Sequence, residues 1–178
     1  MHHEIVNRHD FKYLLNPEYS ICGRISSPLE SNRSHEVFLL IYVHSGPENF
    51  KRRMSLRETW AKRSFFRDIR LVFMMGKSID FKTTQKLRLE SNIYGDIVQE
   101  DFIDSYRNLT YKGIMAMRWI SEYCANAKFI LKVDDDIVTN LFTLLRHLKS
   151  MGKQGLFKQR TIMCFVWRVK DFIWRVAH

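Results

Sequence analysis

The densest chemical feature of the chain is Asp134-Asp135-Asp136, three consecutive carboxylates placed directly after an apolar stretch at residues 128–133. Two carboxylates about 6 Å apart at an effective dielectric near 20 repel by roughly 3 kcal/mol. A row of three therefore calls for a cation, hydrogen-bond donors or open water. A hard divalent ion fits best, because oxygen-only ligands favour Mn2+ or Mg2+, ions that keep waters and take up the phosphate oxygens of a substrate. A calcium loop of the EF-hand type is excluded, since the third-ligand position is Val138 and the sharp-turn glycine position is Thr139. Among the cations, Arg53 and Arg57 are four residues apart and share one face of a helix, an arrangement suited to a diphosphate or a nucleoside. Lys112 closes the string Asn108-Leu109-Thr110-Tyr111-Lys112 and is a further basic candidate. Each has a plainer alternative when taken alone: a solvated acidic turn for the triplet, a solvated basic face for the arginines, a surface position for the lysine. Asn108-Leu109-Thr110 and Asn32-Arg33-Ser34 match the N-glycosylation acceptor pattern, which matters only in a secretory protein.

The elements that must position these groups alternate along the chain. Residues 37–44, VFLLIYVH, form a continuous apolar run expected of a strand covered on both faces, and Ser45-Gly46-Pro47 breaks it. Residues 48–63 have helical composition with an acid early and basic residues late. A second strand at 69–75 ends at Gly76, a second helix at 81–94 is closed by Gly95, and a short third strand covers 96–99. The clearest helix spans 105–125, where Tyr106, Leu109, Gly113, Met117, Ile120 and Cys124 recur at steps of three and four. A fourth strand at 128–133 runs into the acidic triplet, and a helix follows at 141–151. The order βαβαβαβα predicts an α/β fold with a mostly parallel sheet and helices on both faces. Ligands of such sheets collect at the carboxyl ends of the strands, which is where the triplet falls. Residues 1–36 read as a polar lead-in and 37–155 as the ligand-binding portion. Residues 156–178 read as a basic, aromatic tail in which residues 161–169 are a possible strand.

Composition agrees with a globular domain: 178 residues, 46% hydrophobic and 13% aromatic. The longest unbroken apolar run, residues 37–43, is far short of the ~20 residues a membrane-spanning helix needs. The formal charge of +10 is concentrated at the end, where residues 137–178 hold eight lysines and arginines against one acid, Asp171. Interleaved with Phe165, Trp167, Phe172 and Trp174, this tail supports an alternative, non-catalytic reading as a polyanion-binding segment. Cys22, Cys124 and Cys164 allow one disulfide and one odd thiol, in any pairing. P-loop, zincin, serine-hydrolase, zinc-ribbon and Rossmann-cofactor patterns are absent.

Together the strings RRMSLRETW (52–60), FMMG (73–76), YGDIVQEDFIDSYRNLTYK (94–112) and FILKVDDDIVTN (129–140) closely resemble, in order and spacing, the β1,3-glycosyltransferases that include β1,3-galactosyl- and β1,3-N-acetylglucosaminyltransferases. The resemblance covers about residues 37–150. It implies a GT-A-like fold, Mn2+-dependent (or Mg2+-dependent) inverting transfer of galactose or N-acetylglucosamine from a UDP-sugar to a glycan on a glycoprotein or glycolipid, and residence at the Golgi membrane, facing the lumen. No nucleic-acid partner is expected. By the same resemblance Asp136 is a metal ligand, assisted by Asp134. Asp134 and Asp135 would face the ribose and donor sugar, Arg53 and Arg57 would contact the nucleotide, and Lys112 would lie near the donor.

Inversion in a single displacement requires a carboxylate to take the acceptor's proton. In the family that acid belongs to a motif well downstream, together with a later histidine of the metal shell. Residues 137–178 provide only Asp171, outside any such motif, so the catalytic base is unassigned. The fold is expected to be incomplete on its acceptor side, with transfer weak or absent, and no anchor segment is expected in this chain.

Overall fold

The computed structural model describes residues 9–23, 37–153 and 162–163. Five strands form one sheet: β1 (Tyr13–Leu15), β2 (Val37–His44), β3 (Ile69–Lys77), β4 (Ile97–Ile103) and β5 (Ala127–Asp134), in the spatial order β1-β4-β3-β2-β5. Three of the four pairings, β2–β3, β2–β5 and β3–β4, are parallel, and only the edge strand β1 is antiparallel, against β4. Helices α1 (Phe50–Glu58), α2 (Phe81–Tyr94) and α3 (Leu109–Tyr123) connect the parallel strands. The chain divides after Thr139 into two compact units, the second of which contains α4 (Leu141–Lys153). The mostly parallel α/β architecture expected from the alternating pattern is thus present.

Burial explains the apolar runs. One face of the sheet presents Leu40, Tyr42, Val72, Met74, Val98 and Phe102 to Met115, Ala116, Trp119 and Ile120 of α3. The alternate residues Leu39, Ile41, Val43, Phe73 and Met75 are buried on the other face, where Arg57 of α1 lies over the Phe73 ring at 4.7 Å. A strand enclosed on both sides has no polar positions to alternate with, hence the unbroken VFLLIYV.

Element ends follow local chemistry. At the start of α2 the Asp80 carboxylate accepts the Thr83 N–H at 2.7 Å, and at its end Gly95 adopts φ +60° while donating to Ser91 O. Helix α1 is shorter than the sequence reading, stopping at Glu58; the chain then turns and forms a 3-10 turn at Arg63–Phe65. Strand β4 is longer, running on through Glu100 and Phe102, because it carries β1 on its outer edge. For α3 the helix stands but its inward stripe is rotated: Lys112, Met115, Ala116, Trp119 and Ile120 are buried, whereas Tyr106 precedes the helix and is exposed, as is Met117. The lead-in contributes β1 and Cys22, which forms a disulfide with Cys124 at the end of α3. Residues 161 and 164–169 of the possible late strand, Asn32 and most of the basic tail lie outside the described residues.

Candidate active site

In the sheet order, consecutive strands β2, β3 and β4 proceed to one side of β2, while β5 lies on the other. The direction of winding reverses between β2 and β5, and such a switch point opens a crevice beyond the carboxyl ends of the two strands. His44 of β2 is in register with Asp134 of β5 at this edge. The acidic triplet emerges from β5 opposite Ser45, which emerges from β2.

The three carboxylates do not share one role. Asp134 and Asp136 are exposed, 54% and 60% of their side chains, whereas Asp135 turns inward and is buried. The Asp135 carboxylate accepts hydrogen bonds from Ser45 Oγ at 2.7 Å, Asn49 Nδ2 at 2.8 Å and Arg52 Nη1 at 2.9 Å. Burial alone would raise its pKa, but these donors and the Arg52 charge outweigh it and hold the carboxyl below its ordinary value. Asp135 therefore locks the β5 turn onto the start of α1, and the alternation of the backbone sends its two neighbours outward. Lys132 Nζ approaches Asp134 at 2.6 Å, and Arg52 Nη1 approaches Asp136 at 3.6 Å. The exposed pair is an oxygen-only donor set of the kind that holds Mg2+ or Mn2+ together with water and phosphate oxygens. Among the described residues no three His, Cys, Asp or Glu side chains are grouped so as to hold a metal ion.

Arg53 and Arg57 share a helix face, as their spacing requires, but that face is turned toward α2. Arg53 is fully buried: Nε and Nη2 pair with Glu90 at 2.8 and 2.6 Å, Nη1 donates to Ser45 Oγ at 3.1 Å and to Gly46 O, and Nη2 also donates to Pro47 O at 3.1 Å. Its donors thus fasten the β2–α1 connection, and none is presented to a ligand. Arg57 sits one turn further down α1, with Asp96 at 2.7 Å and Glu90 at 2.7 Å and its guanidinium over Tyr94 at 4.1 Å. Asp96 precedes β4, so Arg57 belongs to the amino end of the sheet, beside a cavity of about 490 Å³ lined by Met54, Ile69, Tyr94 and others, away from the triplet. In this geometry both arginines pair within the protein, Arg53 with Glu90 and the β2–α1 turn and Arg57 with Asp96 and Glu90, and both act as struts.

Lys112 is buried as well. Its Nζ donates to Ser45 O at 2.9 Å and pairs with Asp104 at 2.9 Å, whose other role is to accept the Gly76 N–H at 2.7 Å. It ties α3 to the carboxyl ends of β2, β3 and β4 and braces the crevice from beneath. Gly76 is required here, since a Cβ would lie 2.6 Å from both the Phe102 ring and its carbonyl oxygen. His44 is pushed down to about 4 by burial and by the Lys132 and Lys112 charges, and its buried Nε2 has no hydrogen-bond partner. Asn108 stands at the N-cap position of α3 without a side-chain capping bond, and its Nδ2 donates instead to Ile103 O at 2.8 Å.

The residues that sequence reading passed over are Ser45, Asn49 and Arg52. In the sequence Ser45 is part of a strand-breaking turn, and Arg52 stands beside the i, i+4 pair that begins one residue later. The adjacent arginines point to different sides of α1 because successive helical residues are about 100° apart.

An open, mostly parallel α/β sheet thus carries two exposed carboxylates to its switch point, the edge at which ligands of such folds bind. The sequence pattern of the Galactosyltransferase family matches residues 51–170, and the chain belongs to that family. Its fold is accordingly of the GT-A-like kind. Beta-1,3-galactosyltransferase 1 of Homo sapiens is 36% identical over 147 residues, 80% of this chain and 41% of the relative. The Mus musculus protein of the same name matches equally. UDP-GalNAc:beta-1,3-N-acetylgalactosaminyltransferase 1 of Mus spicilegus is 36% identical over 164 residues, 88% of this chain and 50% of the relative. The chain spans half or less of the length of these curated relatives.

Proposed function

We propose that this chain forms the donor-binding portion of a β1,3-glycosyltransferase that takes galactose or a related N-acetylhexosamine from a UDP-sugar and transfers it to a glycan acceptor with inversion. The observation that carries this reading is the split of the acidic triplet at the switch point, where Asp135 is buried and its neighbours Asp134 and Asp136 are exposed. The relatives, named as galactosyl- and N-acetylgalactosaminyltransferases, favour the same donor class.

Asp134 and Asp136 would hold Mn2+ or Mg2+, which when bound supplies Lewis-acid stabilisation of the charge on the departing diphosphate. The residues around them orient that pair: Ser45 and Asn49 fix Asp135, Arg53 fixes Ser45 and the following turn, and Lys112 fixes the backbone of Ser45. None of the described residues is assigned as the acceptor's base. A lumenal, Golgi setting is part of the proposal and is supported by the Cys22–Cys124 disulfide, which persists in oxidising compartments. Among the described residues no helix is long and apolar enough to cross a membrane.

Calorimetry of UDP in the presence of Mn2+ tests the reading. Wild-type chain is expected to bind UDP only with the metal, and Asp136→Asn to lose that binding. Equal, metal-independent binding by both proteins would overturn the donor-site assignment.

A further inference from the structure

Both carboxylates of the exposed pair already have a cation against them, and the two cations are held differently. Lys132 reaches Asp134 along its own strand, with both side chains about half in solvent. Arg52 comes from another element, α1, and its Nη1 is shared unequally: 2.9 Å from buried Asp135 and 3.6 Å from exposed Asp136. The Asp135 contact is a charge-assisted hydrogen bond to a carboxylate that has little access to water. The Asp136 contact is a long, solvated ion pair, worth little. The guanidinium is thus tethered at one acid and merely resting against the other. Both contacts are made by Nη1, and the side chain is about half exposed, 53%.

We propose that Arg52 is a pivoting counter-ion of the donor site. With no ligand it partly neutralises Asp136. A divalent ion on Asp136 repels it from that carboxylate, while the hydrogen bond to Asp135 keeps it within reach. When a nucleoside diphosphate arrives, the same guanidinium pairs with its phosphate oxygens, a planar fork matched to a planar pair of acceptors. Arg52 therefore opposes the metal alone and favours the metal together with the diphosphate, which makes binding of the two cooperative. This inference rests on the donor-site reading above and assigns to Arg52 the phosphate contact that Arg53 and Arg57, committed to Glu90 and Asp96, do not offer.

The experiment measures two affinities on the full 178-residue chain at neutral pH. Mn2+ alone is followed by the electron spin resonance of the free ion, and UDP at saturating Mn2+ is followed by calorimetry. For Arg52→Gln the expected signature is a change of opposite sign: Mn2+ alone binds about threefold or more tighter, whereas UDP binds roughly tenfold weaker. Arg52→Lys, which keeps the charge and loses the fork, is expected to bind Mn2+ as the wild type does and to retain part of the UDP affinity. A variant that merely damages the site weakens both affinities together. That result, or no change in either, overturns the role of Arg52 while leaving the donor site standing, provided wild-type chain binds and Asp136→Asn does not. If wild-type chain binds neither probe, the donor-site reading falls first and this inference with it. Should Arg52→Gln unfold at a lower temperature than wild type, the lysine variant decides the question through the UDP affinity alone, wild-type-like binding counting against the proposal.

Discussion

Arg53 and Glu90 meet fork to fork between α1 and α2, with Nε to Oε1 at 2.8 Å and Nη2 to Oε2 at 2.6 Å, and both side chains are almost completely buried. The same guanidinium also serves Ser45, Gly46 and Pro47, so one side chain satisfies both a buried acid and the turn leading from β2 into α1. Removing Arg53 takes one of two cations from buried Glu90, Arg57 being the other, and leaves the Gly46 and Pro47 carbonyls without this donor. Arg53→Ala is expected to cost about 3–5 kcal/mol, and replacing both Arg53 and Glu90 by apolar residues of similar volume is expected to cost less than the sum of the two single changes. Urea unfolding of the two single variants and the double variant measures the difference.

Asp135 and Asp136 are adjacent but predict opposite phenotypes. Asp135→Asn replaces an acceptor of three hydrogen bonds in a buried position and is expected to destabilise the chain by about 1.5–3 kcal/mol. Asp136→Asn, on an exposed side chain, should leave stability within about 0.5 kcal/mol of wild type while abolishing Mn2+-dependent UDP binding. Thermal unfolding and calorimetry on the same two proteins separate the outcomes, and equal destabilisation would contradict the division of labour.

Gly76 is placed where β3 passes against Phe102 of β4. In Gly76→Ala the new methyl meets both the ring and the main-chain carbonyl at 2.6 Å, and the carbonyl cannot step aside without disturbing the strand. A loss of at least about 1–3 kcal/mol is expected. Because Asp104 accepts the Gly76 N–H and pairs with Lys112, weakened UDP binding should accompany it. Hydrogen exchange at β3 and β4 locates the disturbance.

The Cys22–Cys124 disulfide spans a sequence separation of 102 and pins the segment following β1 to the end of α3. Chain-entropy reasoning for a loop of this size gives about 4–5 kcal/mol, and native disulfides commonly contribute about 2–5. Cys22→Ser/Cys124→Ser is expected to fall in that range by denaturant unfolding. Reductant should lower the midpoint of wild type and leave the double variant unchanged.

Acid should destabilise the fold before general carboxylate titration does. His44 is held down to about 4 in the folded state, against an ordinary value near 6.5. Between those values the unfolded chain binds the proton and the folded chain does not, so stability falls as pH falls through this window. After allowance for the partial exposure of the ring, the contribution is on the order of 1–3 kcal/mol. Asp135, with its folded value lowered, acts in the same direction at still lower pH. Thermal midpoints at pH 7, 6, 5 and 4 are expected to drop steadily, and His44→Phe should flatten the step between 6.5 and 4.

The legible part of the fold is the part written in local physics. Strand β2 announces itself because seven successive apolar residues cannot be solvated, and α2 because Asp80 and Gly95 stand where a cap and a left-handed exit are required. Strand β1 was not legible: three residues of mixed polarity become a strand only because the far-off edge of β4 is available to pair with them. The buried stripe of α3 was misjudged for a similar reason. Lys112 counts as polar in any pattern, yet it is buried on Ser45 O and Asp104, and that rotates the inward face away from Tyr106 and Met117.

By itself the sequence determined that a mostly parallel α/β sheet delivers three carboxylates to a strand end, since periodicity, chain breakers and charge density are properties of neighbouring residues. Tertiary structure alone decided what each charge does there. Asp135 became an anchor because Ser45, Asn49 and Arg52 arrive from across the switch point, between 83 and 90 residues away in the chain. Arg53 and Arg57 became struts because α2 brings Glu90 against them, leaving Arg52, one helical step aside, as the arginine at the acidic edge. A carboxylate or guanidinium has the same formal charge wherever it stands. Whether that charge is spent inside the protein or left for a ligand depends on which partner the fold places within hydrogen-bonding distance, and no local pattern encodes that distance.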